Sequence, residues 1–244
     1  MIPKELALAF IFLLSGFTMS FTGFGFALVS VPALALFLPV QSAVALQFPY
    51  CFCLSLYQAW YYRAYFEWSS MRPLFAGTIL GLPIGAFMLH YLPGATLKKA
   101  LAIFIAAVVI FNALPLTQVF MKRHTRSPWW GHFCGFLSGS FLSAFTIGGP
   151  PAAMYIMSVT PNPLKVKSSL ASFFSMQYIL IAFLYVVGGM FNWEMLGDTL
   201  IFSPAVAAGS ALGFWAFTKA SNLLYRKVLA VMLLVTAMLL WWRA

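Results

Sequence analysis

Apolar positions run along this chain in long blocks separated by short polar or basic stretches. The blocks fall at 6–38, 41–62, 73–92, 98–117, 129–159, 168–191, 199–218 and 224–242. Six of them have the length of a membrane-crossing helix, about 20 residues. The first and fifth are half as long again, too long for one crossing. Each carries a glycine-rich break near its middle, Gly23-Phe24-Gly25-Phe26 in the first and Gly148-Gly149-Pro150-Pro151 in the fifth. The pattern therefore predicts two shorter helices meeting at a turn in each, with helices restarting after Gly25 and after Pro150-Pro151. The first block runs unbroken from Leu6 to Leu38. A cleavable signal peptide has an apolar core of about 7–15 residues, so none is expected here.

The two halves repeat. A shift of 123 places Ser15-Gly16 on Ser138-Gly139, Ser20 on Ser143 and Gly25 on Gly148. A shift of 128 places Gly77, Gly81 and Gly85 on Ala205, Gly209 and Gly213, and Lys98-Lys99 on Arg226-Lys227. This predicts a first transmembrane repeat over 1–117, a basic linker over 118–128 (Lys122, Arg123, Arg126) and a second repeat over 129–244.

Composition narrows the class. Of 244 residues 63% are hydrophobic and 7% charged, against roughly 25% charged in a soluble domain. Disorder and an ordinary soluble enzyme are both excluded, which leaves an all-α polytopic membrane protein. All four acids (Glu5, Glu67, Glu194, Asp198) fall near block ends. No carboxylate within a span is thus expected for proton relay, metal binding or acid–base catalysis. The cysteines Cys51, Cys53 and Cys134 form no C-x-x-C pair and read as buried thiols. No cofactor and no metal site is expected, and His90, His124 and His132 read as interfacial or solvated.

The 14 basic residues decide topology, because Lys and Arg concentrate in cytoplasmic loops. With eight plain crossings they divide evenly. If each long block doubles back at its glycines, one side keeps Lys4, Lys98, Lys99 and Arg243. The other collects Arg63, Arg72, Lys122, Arg123, Arg126, Lys165, Lys167, Lys219, Arg226 and Lys227. The doubled-back arrangement wins. Each half then has an odd number of crossings, so the expected fold is two inverted repeats, each a glycine-broken helix hairpin plus three spanning helices. Both termini face away from the cytoplasm. The first arm, Leu6 to Thr22, reaches about 25 Å, a length compatible with a partial dip or a full crossing. The net charge of +10 is accounted for by cytoplasmic loops, so the expected partners are a lipid bilayer and a small anion, not nucleic acid.

Inverted repeats with broken helices form the pattern of a secondary transporter whose site lies near the midplane. A helix broken inside lipid frees backbone polar groups, which need a cavity or a ligand. Helix N-termini aimed at the break carry partial positive charge and suit an anion. The candidate site residues are Ser20, Thr22, Gly23 and Gly25 at the first break and Ser143, Thr146, Gly148, Gly149 and Pro150 at the second, with Gln47 and Gln177. Gln47, Cys51, Leu54 and Gln58 share one helical face, and Ser168, Ser172 and Ser175 recur at similar spacing. These polar residues fit either site lining or interhelical hydrogen bonding. Gly77-x3-Gly81-x3-Gly85 reads as a packing face. Trp68, Trp129, Trp130, Trp193, Trp241 and Trp242 read as interface anchors.

The paired motifs Gly16-x6-Gly23-Phe24-Gly25-x6-Pro32 and Gly135-x3-Gly139-x8-Gly148-Gly149-Pro150, at the start of each half, resemble those of the sulfite exporter TauE/SafE family of membrane permeases. Where that family usually carries a longer glycine run after the first break, this chain has Phe26. The resemblance implies transport of sulfite, thiosulfate or organosulfonates, often outward across the bacterial inner membrane. The residues themselves lead to an anion carrier in which the two breaks meet and one repeat rocks against the other. A channel using the same breaks and a membrane subunit of a larger complex are the alternatives. An intramembrane enzyme lacks its nucleophile–base pair or metal set.

Overall fold

The computed structural model describes residues 4–113, 128–160, 162–189, 197 and 199–219, and all regular structure among them is helical. Residues 118–127 of the linker, with His124, lie outside the described residues, as do Trp193, Glu194, Asp198 and the last apolar block with Arg226, Lys227, Trp241, Trp242 and Arg243.

The first long block folds as two helices, α1 (Lys4–Thr22) and α2 (Phe26–Leu34). Between them the chain turns over Gly23 and Gly25, whose φ angles are 87° and 107°. This left-handed region is closed to most residues with a Cβ, which is why glycine stands at both positions. The fifth block likewise folds as α6 (Pro128–Phe145) and α7 (Gly149–Val159). Between the two hairpins run α3 (Val40–Tyr61), a 3-10 turn (Arg63–Tyr65), α4 (Trp68–Tyr91) and α5 (Gly94–Ala113). After α7 come α8 (Pro163–Val187) and α9 (Ser203–Lys219). The second arm of each hairpin is short. Nine residues in α2 and eleven in α7 reach about 14 and 17 Å at 1.5 Å per residue, roughly half of a hydrocarbon core. Among the described residues α1, α4 and α8 have the length and apolar composition to cross a bilayer.

Two starts differ from the sequence expectation. The second-arm helix α7 restarts at Gly149, ahead of Pro150-Pro151, because a first helical turn accepts proline: its amides have no intrahelical acceptor. Helix α8 starts at Pro163, five residues before the expected 168. Asn162 caps it, its Oδ1 accepting from the Leu164 and Lys165 amides at 2.9 and 3.4 Å. Lys165 and Lys167 therefore lie on a helix, not in a loop, and Lys167 is 2% exposed.

By contacts the chain divides into two compact units. The first holds α1, α2, α3 through Cys51, α5 through Ile110, and α9; the second holds the rest of α3, the 3-10 turn, α4, α6, α7 and α8. Each unit therefore combines segments from both sequence halves. In the second unit α4 lies along α6. Gly77, Gly81 and Gly85 of α4 sit against the carbonyls of His132, Phe136 and Ser140. In return Gly135 and Gly139 of α6 sit against the carbonyls of Leu74 and Thr78. Side chains larger than hydrogen would force the backbones apart, so the small-residue face is a packing face. The Thr78 hydroxyl, within reach of the Gly135 carbonyl at 3.0 Å, adds a polar link between the helices.

In the first unit α9 lies along α1 in the same manner. Gly209 and Gly213 meet the carbonyls of Leu13 and Phe17, and a Cβ on Gly16 would stand 2.7 Å from the Val206 carbonyl. The two contact sets share one register. From Gly81 to Gly209 is 128 residues, and from Leu13 to Phe136 is 123, the two shifts seen in the sequence. An aromatic cluster completes this core, with the Phe12 ring centroid 4.9 Å from Phe202, 5.3 Å from Tyr50 and 6.1 Å from Phe26.

Candidate functional site

In the first unit the break closes largely on itself. The Gly23 amide donates to the Met19 carbonyl at 2.8 Å. The Thr22 hydroxyl donates to the Thr18 carbonyl at 2.8 Å, has the Phe24 carbonyl as a second acceptor, and accepts from the Phe24 amide at 3.2 Å. Ser20 and Thr22 are fully buried. Helix α2 then starts at Phe26 with no side chain capping it. Gln47 approaches from α3. Its Oε1 accepts from the Cys51 thiol at 2.8 Å and lies 3.4 Å from the Ser30 hydroxyl on α2. Ser20, Thr22, Gly23 and Gly25 are thus gathered at one turn, with Gln47 against the helix that leaves it.

The second break is built differently. Thr146 ends α6 with φ at 57°, an unusual conformation for a β-branched residue. Such strain of about 1–3 kcal/mol concentrates at functional positions. The surroundings hold it: the Thr146 amide donates to the Leu142 carbonyl at 2.7 Å, and the Ile147 amide to Phe141 at 3.2 Å. The Ser138 hydroxyl donates to the Gly148 carbonyl at 2.7 Å. Gly148 is required for close approach, since a Cβ there would stand 2.7 Å from the Ser138 carbonyl and 2.8 Å from Leu142 Cβ. From α8, the Tyr185 hydroxyl donates to the Ser143 carbonyl at 2.7 Å and the Tyr178 hydroxyl to the Thr146 carbonyl at 3.5 Å. The freed carbonyls of the break therefore find donors on a neighbouring helix.

The second unit also holds buried polar atoms that find no partner among the described residues. Gln177, adjacent to Tyr178 on α8, is fully buried, and neither its Nε2 nor its Oε1 has a hydrogen-bond partner among the described residues. The same holds for Ser143 Oγ on α6. Leaving a buried donor or acceptor unmade costs about 1–3 kcal/mol per group, so these atoms suit a polar ligand. Helix α7 begins at Gly149, six residues after Ser143, with no side-chain cap. Pro150 and Pro151 remove two amides from its first turn, leaving the helix dipole and side chains to meet an anion there.

Residues that sequence reasoning did not place among the site candidates also shape this unit. Tyr178 and Tyr185 lie seven residues apart, two helical turns, and so share the face turned to the break. Lys167 continues that stripe toward the start of α8, its ammonium 5.1 Å from the centre of the Tyr62 ring. Lys165 pairs with Glu67 nearby at a part-exposed surface. His90 and His132 are exposed. Among the described residues no three His, Cys, Asp or Glu side chains gather as a metal site.

The family model described as sulfite exporter TauE/SafE matches residues 8–240. None of the curated proteins and none of the solved structures compared with the chain matches it. A match over nearly the whole length, on a helical chain whose two long apolar blocks each break into a hairpin, identifies a membrane protein of a transporter family: the chain belongs to the sulfite exporter TauE/SafE family.

Proposed function

We propose that this protein is a secondary transporter that exports a small sulfur-containing anion, such as sulfite, thiosulfate or an organosulfonate, across the bacterial inner membrane by alternating access. The carrying observation lies in the second unit, where Ser143 Oγ and the Gln177 carboxamide are buried without partners among the described residues and α7 starts uncapped six residues after Ser143. Neutral donors together with a helix N-terminus suit a small oxyanion. In this reading the substrate-binding residues are Ser20, Thr22, Gly23, Gly25 and Gln47 at the first break and Ser143, Thr146, Gly148, Gly149, Pro150 and Gln177 at the second. The chain is two inverted repeats, 1–117 and 129–244, joined by a cytoplasmic linker, with both termini outside the cytoplasm. The contact register shared by the two units at offsets of 128 and 123 supports the duplication, and the ten-to-four division of basic residues supports the orientation.

Energetics favour export. A monovalent anion leaving a cell at about 100 mV, interior negative, gains about 2.3 kcal/mol, roughly a 50-fold concentration ratio. Outward flux then needs no coupling ion, which suits a chain whose four acids all lie at block ends. Proteoliposomes holding the purified chain test this: sulfite efflux saturates and accelerates with an imposed inside-negative potential. Flux indifferent to the potential overturns electrogenic export. Gly25→Leu and Gly149→Leu abolish ligand-induced thermal stabilisation, and a retained response in both removes the proposed site.

A further inference from the structure

Gln177 differs from the other candidate site residues in what it leaves unmet. A carboxamide offers two N–H donors on Nε2 and an acceptor on Oε1. At Gln177 both ends are buried and without a partner among the described residues. In the first unit, by contrast, Gln47 Oε1 accepts from the Cys51 thiol. An oxyanion bearing only acceptors would satisfy Gln177 Nε2 and leave Oε1 unmet, facing negative charge. Exchanging the amide ends does not help, since one end always remains an acceptor. Among oxyanions, one carrying a hydrogen-bond donor beside its anionic oxygens meets both ends.

From this, and resting on the transport reading above, we infer that Gln177 is a specificity residue selecting oxyanions that carry their own O–H or N–H donor. Hydrogen sulfite and hydroxy- or amino-sulfonates fit; the sulfite dianion and plain alkylsulfonates do not. Ser143 Oγ, also buried and without a partner among the described residues, is a further hydroxyl donor on α6. The selection is of the strong kind, because a site that pairs a substrate hydroxyl is left with an unmet buried group by the analogue lacking it.

The test compares two sulfonates of fixed charge, ethanesulfonate and 2-hydroxyethanesulfonate, with sulfite as a third ligand, by titration calorimetry on the full-length purified protein. The expected result is at least roughly tenfold tighter binding of 2-hydroxyethanesulfonate than of ethanesulfonate. In Gln177→Met, which keeps the side-chain volume and removes both polar ends, the ratio of the two affinities falls to near one. Gln177→Leu, which also removes both polar ends, reports on the same point if the methionine variant is not recovered as a monodisperse protein: its ratio likewise falls to near one. Equal affinities in the unsubstituted protein overturn the inference and leave the transport reading standing, the outcome expected if a trapped water alone meets Gln177. A preference that persists in Gln177→Met also overturns it. Failure of all three ligands to bind the unsubstituted protein overturns the transport reading itself, and this inference with it.

Discussion

Replacing Gly81 by alanine is the most direct test of how the hairpins are held. A Cβ at position 81 points at the Phe136 carbonyl and would stand 2.8 Å from the Ser140 amide nitrogen and 3.1 Å from Ser140 Oγ. Two of these three neighbours are backbone atoms of α6, which cannot rotate away. The helices must separate. Overpacking of this kind costs about 1–3 kcal/mol. Separation also weakens the Thr78–Gly135 link, and interhelical hydrogen bonds in membranes reach about 1.7 kcal/mol. Alanine returns about 1 kcal/mol as the better helix former. The net expectation is a loss of about 1–3 kcal/mol, or roughly 2–12 °C in melting temperature for a chain of this size.

Two companions make the measurement interpretable. Gly209→Ala places its methyl against the Leu13 carbonyl in the first unit and produces a loss of the same order. Gly94→Ala, where nothing lies within 4 Å of the new Cβ, changes stability by no more than about 0.5 kcal/mol. Thermal unfolding in detergent, followed by circular dichroism, reports all three. If Gly81→Ala melts with the unsubstituted protein while expressing normally, the α4–α6 approach argued above is wrong.

Tyr185→Phe removes a 2.7 Å bond to the Ser143 carbonyl and costs about 1–2 kcal/mol, whereas Tyr178→Phe, removing a 3.5 Å contact, costs less; melting curves that reverse this order contradict the assignment. Thr146→Gly trades side-chain strain at φ 57° against backbone entropy, so stability changes by less than about 1 kcal/mol. A loss above about 2 kcal/mol in chemical unfolding would show that the Thr146 side chain, not the backbone bend, holds the break. Glu67→Gln removes a part-exposed ion pair with Lys165 and shifts stability by under about 1 kcal/mol, less still at high salt.

The hairpins were legible in the sequence because a 33-residue apolar run cannot cross once and glycine marks where it fails. The restart at Phe26 was legible too, but the end of that arm at Leu34 was not, since a run's length does not say where its last helix stops. The early start of α8 was written in Asn162-Pro163, a capping residue followed by a first-turn proline, but the neighbouring lysines made the stretch look like a loop. Lys167 illustrates the cost of that habit: charge argued for water, and tertiary packing buried it beside Tyr62. The Gly77, Gly81 and Gly85 spacing announced a close helix contact without naming the partner, because small-residue spacing describes one face only. Its partner proved to be α6, from the other half of the sequence. The left-handed residue of the second break was the least legible feature: glycine preference points to Gly148, yet Gly148 has φ at −97° and Thr146 carries the turn.

That last point separates the two breaks chemically. Thr146 corresponds to Gly23 under the 123-residue shift, so one repeat makes its turn with glycine and the other with a strained threonine. The first break pairs its own polar side chain, Thr22, and its outgoing helix α2 keeps the amides of Phe26, Ala27 and Leu28 in the first turn. The second loses two such amides to Pro150 and Pro151 and instead has Ser143 and Gln177 in reserve. The two breaks thus differ in what their outgoing helices can offer: three backbone amides in the first turn of α2, and fewer in that of α7. The first break tolerates little beyond glycine at positions 23 and 25, where φ is positive. Two hairpins of similar pattern are thus held by different means, the first by glycine and Thr22, the second by a left-handed Thr146 and tyrosine donors from α8.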